Sequence, residues 1–242
     1  YHLQFSEALA NFGLHCARRI VEHHGGRLVY SGGDDVLAIL PADEAIACAI
    51  GLRKAFQGDP TLTKDYCKDF KIAPQGFVRL ENGKPSEPTW NLLVPGPKAT
   101  VSVGVAIGHI KEPLQDMIQE AQKAEKHAKS ELGRDALSLR LFKRSGEQVH
   151  WGAKFGSPAF DLSKYFAQHY RAPINEPKKI MPISGKFPYR VCSMLSVYEA
   201  GEKLTTDLQQ IAEKELEWIV KQNTEKSEVG QDFCKETLRD HY

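Results

Sequence analysis

Apolar residues recur every three or four positions from the start of the chain. Tyr1 to Val21 reads as amphipathic helix, with apolar residues at Leu3, Phe5, Leu9, Phe12, Cys16 and Ile20, and the predicted helix runs from about Ser6 to His24. Gly25-Gly26 is its stop signal. The period then changes: Arg27-Leu28-Val29-Tyr30 and Val36-Leu37-Ala38-Ile39-Leu40 are short apolar runs on either side of Ser31-Gly32-Gly33-Asp34-Asp35, the layout of a β-hairpin around a Gly-Gly turn. Both runs are nearly continuous in apolar character, as expected for the middle of a sheet covered by helices. Pro41 closes the second strand, and Asp43 to Gln57, with Ile46, Ala49, Ile50 and Ala55 facing the core, predicts a further helix.

From residue 58 to 98 the texture turns to Pro, Gly, Lys and Asp, with prolines at 60, 74, 85, 88, 95 and 97, and sparse regular structure is expected in this excursion from the core. Pattern resumes with a strand over Ala99 to Ile107, a helix over Pro113 to Ser130 whose proline suits the first turn, and a strand over Ala136 to Phe142 with Leu137, Leu139 and Leu141 on one face. With one more strand ahead of Tyr1, the order is βαββαβ, the ferredoxin-like arrangement. The expectation is therefore an α+β chain. A ferredoxin-like palm at 1–150 would have its first strand upstream of this sequence, and a mainly helical domain at 151–242 would follow. The clearest helix of the second part is Thr205 to Gln222, with Leu208, Ile211, Ala212, Leu216, Ile219 and Val220 apolar.

Composition narrows the function little. The formal charge of +1 and 41% hydrophobic content demand neither a nucleic-acid nor a membrane partner, so any nucleotide site must be local. Cys16, Cys48, Cys67, Cys192 and Cys234 form no Cys-x-x-Cys pair, which argues against a zinc ribbon or a disulfide framework and fits a reducing cytoplasm. No apolar run approaches the roughly 20 residues of a membrane helix.

The chemistry concentrates at Asp34 and Asp35. Adjacent carboxylates at a hairpin turn repel each other, and a cation would remove the penalty. Phosphoryl transfer on nucleotides commonly uses two divalent ions about 4 Å apart that want carboxylate oxygens; Mg²⁺ or Mn²⁺ is the expected cofactor. Gly32 and Gly33 would let a nucleotide approach the backbone closely. A lone Gly-Gly-Asp-Asp is more often a tight turn with two solvated acids, so it is the setting between two strands of a βαββαβ order that points to catalysis.

Thr100-Val101-Ser102-Val103-Gly104-Val105-Ala106 is similar to the T-x-S-x-G-V-A strand of diguanylate cyclases of the GGDEF family. Ala121-Gln122-Lys123-Ala124-Glu125-Lys126-His127-Ala128-Lys129 resembles their A-D-x-A-L-Y-x-A-K helix, and Gly133-Arg134-Asp135 stands for their G-R-N. Asp35 and Val36 replace the Glu-Phe of that signature, and one extra residue separates Lys129 from Gly133. Three further stretches extend the likeness: Gly26-Arg27-Leu28-Val29-Tyr30 running into the acid pair and Val36-Leu37-Ala38, then Leu52-Arg53-Lys54-Ala55-Phe56, and His109-Ile110-Lys111-Glu112-Pro113-Leu114. Together, over about Ser6 to Ser145, they resemble the second palm domain of the large subunit of Cmr-type (type III-B) CRISPR effectors.

That resemblance implies a target-RNA-activated nucleotidyltransferase that joins ATP 3′ to 5′ into cyclic oligoadenylates for antiviral defence. It implies phosphate binding by Lys129 and Arg134, beside the metal-binding Asp34 and Asp35 and the nucleotide-approach glycines Gly32 and Gly33, with Ser31 either contacting nucleotide or only shaping the turn. It also implies a further metal-binding Asp on the upstream strand, so that the present sequence would be incomplete alone. Expected partners are ATP, guide and target RNA, and small helical subunits at the C-terminal domain. The rivals are a GTP-using diguanylate cyclase and a palm that serves only as an assembly scaffold. His23-His24 at a helix end, and Trp90 and Trp151 as base-stacking or packing residues, are weaker candidates.

Overall fold

The computed structural model describes residues 2–62, 65–80, 91–161, 163, 189–190, 193–194 and 206–223. The chain divides into two compact units, Tyr1–Phe155 and Gly156–Tyr242. In the first, α1 (His2–Asn11), a π-helical segment (Phe12–Ala17) and α2 (Arg18–His23) follow one another without a break in helical dihedrals. They lead into the hairpin β1 (Arg27–Gly32) and β2 (Asp35–Ile39), and then α3 (Ala45–Gln57). Phe12, Cys16, Ile20 and Val21 are buried, and Phe12 meets Phe56 of α3 edge to face at 5.0 Å. Leu28, Val36, Ala38 and Leu40 pack against the same core.

The hairpin departs from the sequence-based expectation on one point: only one of its faces is covered. Val29, Tyr30 and Ile39 on the other face are 54%, 56% and 48% exposed. A β-bulge between Leu28 and Tyr30 contributes, because it turns two successive residues of β1 outward before the alternation resumes at Ser31.

Residues 58–98 are also more regular than composition suggested. They carry β3 (Phe70–Lys71), β4 (Phe77–Leu80) and β5 (Asn91–Leu93) in a three-stranded antiparallel sheet. Leu62, Cys67, Phe70, Val78, Leu80 and Val94 of this stretch belong to the main core. Six apolar side chains removed from water outweigh the low strand propensity of the Pro- and Gly-rich links between them.

The third sheet is β6 (Val103–Ile107), β7 (Ala136–Phe142) and β8 (Gln148–Lys154). β6 and β7 run parallel, joined through α4 (Leu114–Ser130), and β7 and β8 are antiparallel. β6 begins four residues later than expected. β8 was not expected at all and carries the first unit past residue 150. Its signal is present in Val149, Trp151 and Ala153 alternating with more exposed Gln148, His150 and Lys154. Ala124 and Ala128 of α4 are fully buried, and Gly104 of β6 lies so close that a Cβ there would sit 2.2 Å from the Ala121 carbonyl oxygen and the Glu125 amide. The hairpin and β6–β7–β8 are separate sheets, so the described residues do not form the single sheet of a complete ferredoxin-like order. In the second unit α5 (Thr206–Asn223) is the long helix expected there, with Ile219 buried and Leu208, Ile211 and Trp218 exposed. No described helix is long and apolar enough to cross a membrane.

Candidate functional site

The hairpin turn holds the acid pair at its tip. Gly32 opposite Asp35 is the last pair of the β1–β2 ladder, which leaves Gly33 and Asp34 as a two-residue turn. Gly33 takes φ +60°, a left-handed conformation that costs an L side chain about 1–2 kcal/mol. At Gly32 the exposed Tyr30 ring folds over the position where a Cβ would lie, with its hydroxyl 2.3 Å away, a contact that the free end of the tyrosine can relieve by turning aside. Asp34 and Asp35 are both exposed. Neither carboxylate makes a hydrogen bond or ion pair with a described residue. Two unpaired anionic groups on adjacent residues, open to solvent, are the donor chemistry a hard divalent cation takes. No group of three or more His, Cys, Asp or Glu that could hold a metal is found among the described residues.

The last turn of α4 brings Lys129 to this tip from nearly a hundred residues away. Its ammonium pairs with Glu125 at 2.5 Å. Its pKa is raised above the ordinary lysine value, chiefly by that bond and further by the negative charge of Glu125, Asp35 and Asp34. Lys129 is therefore a cation at neutral pH in the field of the acid pair, already shared with one carboxylate.

Arg134 occupies the turn between α4 and β7, in a run of three left-handed residues: Gly133 at φ +71°, Arg134 at +65° and Asp135 at +48°. Two of these carry side chains, at about 1–2 kcal/mol each. The compensation is visible. The Arg134 amide donates to the Ala128 carbonyl at 3.1 Å, capping α4, and the Phe155 amide donates to the Asp135 carbonyl at 2.9 Å. Arg53 of α3 grips the Asp135 carboxylate with both arms of its fork, Nε to Oδ1 and Nη2 to Oδ2, each at 2.7 Å. Its guanidinium also lies 5.1 Å from the centre of the Phe155 ring. The pair is mostly shielded from water, and the Asp135 hydrogen bond raises the Arg53 pKa further. A charge-assisted fork of this kind contributes about 1.5–3 kcal/mol per bond, enough to hold the strained turn. The Arg134 guanidinium itself is exposed and makes no hydrogen bond or ion pair with a described residue. The Lys154 ammonium lies beside the same turn, 3.3 Å from where a Cβ of Gly133 would be.

Ser31 is placed differently. Its hydroxyl donates to the Gly13 carbonyl of the π-helical segment at 3.4 Å, on the covered face with Val36 and not on the open face with Tyr30 and Asp35. His24 is buried, its Nδ1 2.8 Å from Glu44 Oε2. Trp151 sits opposite Leu139 in the β7–β8 ladder, and Trp90 lies outside the described residues. Sequence reading assigned no role to Arg53, Glu125 or Lys154. Glu125 was findable four residues before Lys129 on one helix face. Arg53 and Asp135 are 82 residues apart, and no local pattern links them.

Comparisons with known proteins agree with this α+β architecture. Residues 1–71 and 84–138, just over half of the chain, match the family model for the second palm domain of Cas10/Cmr2. The chain is 38% identical over 146 residues to the CRISPR system Cmr subunit Cmr2 of Pyrococcus furiosus, covering 60% of this chain and 13% of that protein. It is 32% identical over 123 residues to the Cmr2 subunit of Saccharolobus solfataricus, covering 50% of this chain and 10% of that protein. A chain in a cryo-EM structure of the type III-B Cmr-beta apo state shares the fold with a TM-score of 0.54 at 18% identity, over 94% of this chain and 22% of that one. The fold is consistent with a nucleotidyltransferase-like palm. The chain belongs to the Cas10/Cmr2 family, and it spans a small part of the length of the curated relatives it matches.

Proposed function

We propose that this chain is the nucleotide-polymerising palm of a type III-B CRISPR effector large subunit, which makes cyclic oligoadenylates from ATP when guide RNA has captured target RNA. The observation that carries the proposal is the open hairpin tip, where Asp34 and Asp35 are exposed without a hydrogen-bond or ion-pair partner among the described residues and with Lys129 in their field. Asp34 and Asp35 would hold Mg²⁺ or Mn²⁺, which supplies activation of a ribose 3′-hydroxyl and neutralises triphosphate charge. Lys129 and Arg134 steady the phosphates, Arg134 through a planar fork suited to phosphate oxygens. The glycines of the turn keep Cβ atoms out of the nucleotide's path, and Ser31 holds the hairpin against the helix. By family likeness, the second unit is a helical domain that packs on small subunits beside the guide and target RNA.

The test replaces Asp34 and Asp35 with Ala in the full-length subunit, assembled with guide RNA and supplied with target RNA, Mn²⁺, and ATP or GTP in separate reactions. Cyclic oligoadenylate formation from ATP should be lost in the variant, while assembly and target-RNA binding stay near normal. Retained synthesis would exclude the acid pair as metal ligands, and a cyclic product from GTP alone would favour diguanylate cyclase chemistry.

A further inference from the structure

Arg53 lies in α3, 82 residues before Asp135 in sequence, yet it meets that carboxylate with two donors. Both its donors meet the Asp135 carboxylate at 2.7 Å, and its other face is stacked on Phe155. The residue it grips is the third of three left-handed positions whose middle member is Arg134. Left-handed backbone at two consecutive side-chain-bearing residues persists only where surrounding contacts over-determine it. Here those contacts come from three directions: the α4 terminus through Ala128, the end of β8 through Phe155, and α3 through Arg53. A turn that only connected α4 to β7 could relax; this one is clamped on both sides of a guanidinium that has no described partner of its own.

We infer that Arg53 is a positioning residue: by holding Asp135 it sets the backbone from which Arg134 reaches the nucleotide phosphates. The inference rests on the proposed phosphate role of Arg134 and adds to it the device that keeps Arg134 aimed. Arg53 touches no nucleotide. It acts by limiting the conformations of one turn, so that Arg134 binds phosphate without first ordering its own main chain. Lysine cannot replace it fully, because an ammonium cannot make two parallel bonds to a carboxylate.

The experiment uses the full-length subunit in its assembled complex, with two readouts: equilibrium binding of ATP, and hydrogen exchange of the Arg134 amide without nucleotide. Arg53→Ala should weaken ATP binding roughly 10-fold, the scale seen when a supporting residue behind a ligand is lost, and should speed exchange at Arg134. Arg53→Lys should recover part of both. In the double variant with Arg134→Ala, ATP binding should be no weaker than with Arg134→Ala alone, because both changes remove one interaction. Losses that simply add would overturn the inference, as would unchanged exchange at Arg134. If Arg134→Ala weakens ATP binding and Arg53→Ala does not, the clamp has no part in nucleotide binding and the phosphate role stands. If Arg134→Ala has no effect, the phosphate role fails and the positioning role with it. Should Arg53→Ala prevent assembly, Asp135→Asn carries the test: the side chain still tolerates left-handed backbone, and a loss of ATP affinity with faster exchange at Arg134 is expected beside the lower melting temperature that weakening the fork brings. Loss of melting temperature with ATP affinity intact would make the clamp purely structural and overturn the inference.

Discussion

Lys129 is paired with Glu125 and lies in the field of Asp34 and Asp35, so under the proposed function a phosphate at the hairpin tip would compete with Glu125 for its ammonium. Lys129→Ala should therefore weaken ATP affinity less than Arg134→Ala, for which about 1.5–3 kcal/mol is expected from loss of a charge-assisted hydrogen bond. Glu125→Gln should strengthen ATP affinity by freeing the lysine. Titrating ATP into the three variants measures all of these, and weaker binding in Glu125→Gln would show that Glu125 aims Lys129 and does not compete for it. Because the Lys129 pKa is raised above 10.5, any stability it contributes is fully present below that pH and is lost only as pH rises through the higher folded value. ATP affinity should thus show no step from this residue between pH 7 and 9, to be checked by binding across that range. At this scale the acid pair, Lys129 and Arg134 were legible as residue types in a spaced pattern. The partners of Lys129 and Arg53 were not, since pairing depends on which side chains the fold brings within hydrogen-bond distance.

Two elements bear on the site through contacts that allow little change. The fit of β6 against α4 depends on Gly104, where a methyl group would meet main-chain atoms of Ala121 and Glu125 at 2.2 Å. Main chain of a helix cannot step aside as a flexible side chain can, so Gly104→Ala should destabilise the protein by about 1–3 kcal/mol, read as a lower urea midpoint. Because α4 carries Lys129, the same change should also weaken ATP binding. A midpoint unaltered by Gly104→Ala would mean that the helix and strand can separate at no cost. The hairpin makes its own demand at Gly33, where the left-handed turn predicts a loss of about 1–2 kcal/mol for Ala. Periodicity located α3, α4 and β7 to within a few residues because each has one dominant apolar face, and two apolar runs around Gly-Gly located the hairpin. β3, β4 and β5 escaped notice because strands of two to four residues are too short to show a clear period, and the open face of the hairpin escaped it because Val29, Tyr30 and Ile39 are apolar although exposed.

Across the whole molecule, burial pushes the thiols of Cys16 and Cys48 up to about 12 and raises that of Cys67. The folded state thus favours neutral thiols, and that stabilisation is lost as pH climbs above the ordinary 9.0. At pH 8 these three should resist a thiol reagent in the native protein and react on unfolding, with peptide mapping of the label as the check; rapid native labelling would show a core that opens readily. For metal, the described residues supply Asp34 and Asp35 without a third His, Cys, Asp or Glu. With two carboxylates at the hairpin tip, residues 1–242 should bind Mn²⁺ more weakly than a site with three or more charged ligands, as measured by calorimetry. What the sequence by itself determined is the set of locally encoded features: amphipathic helices, the Gly-Gly turn with its two acids, and the spaced motifs that resemble a Cmr-type palm. Each is written in neighbouring residues, through side-chain period and backbone freedom. Only the tertiary structure decided that the excursion's strands join the core, that one hairpin face stays open, that Lys129 lies in the field of Asp34 and Asp35, and that Arg53 clamps the turn beside Arg134. Those outcomes depend on how distant segments pack to bury apolar surface and pair charge.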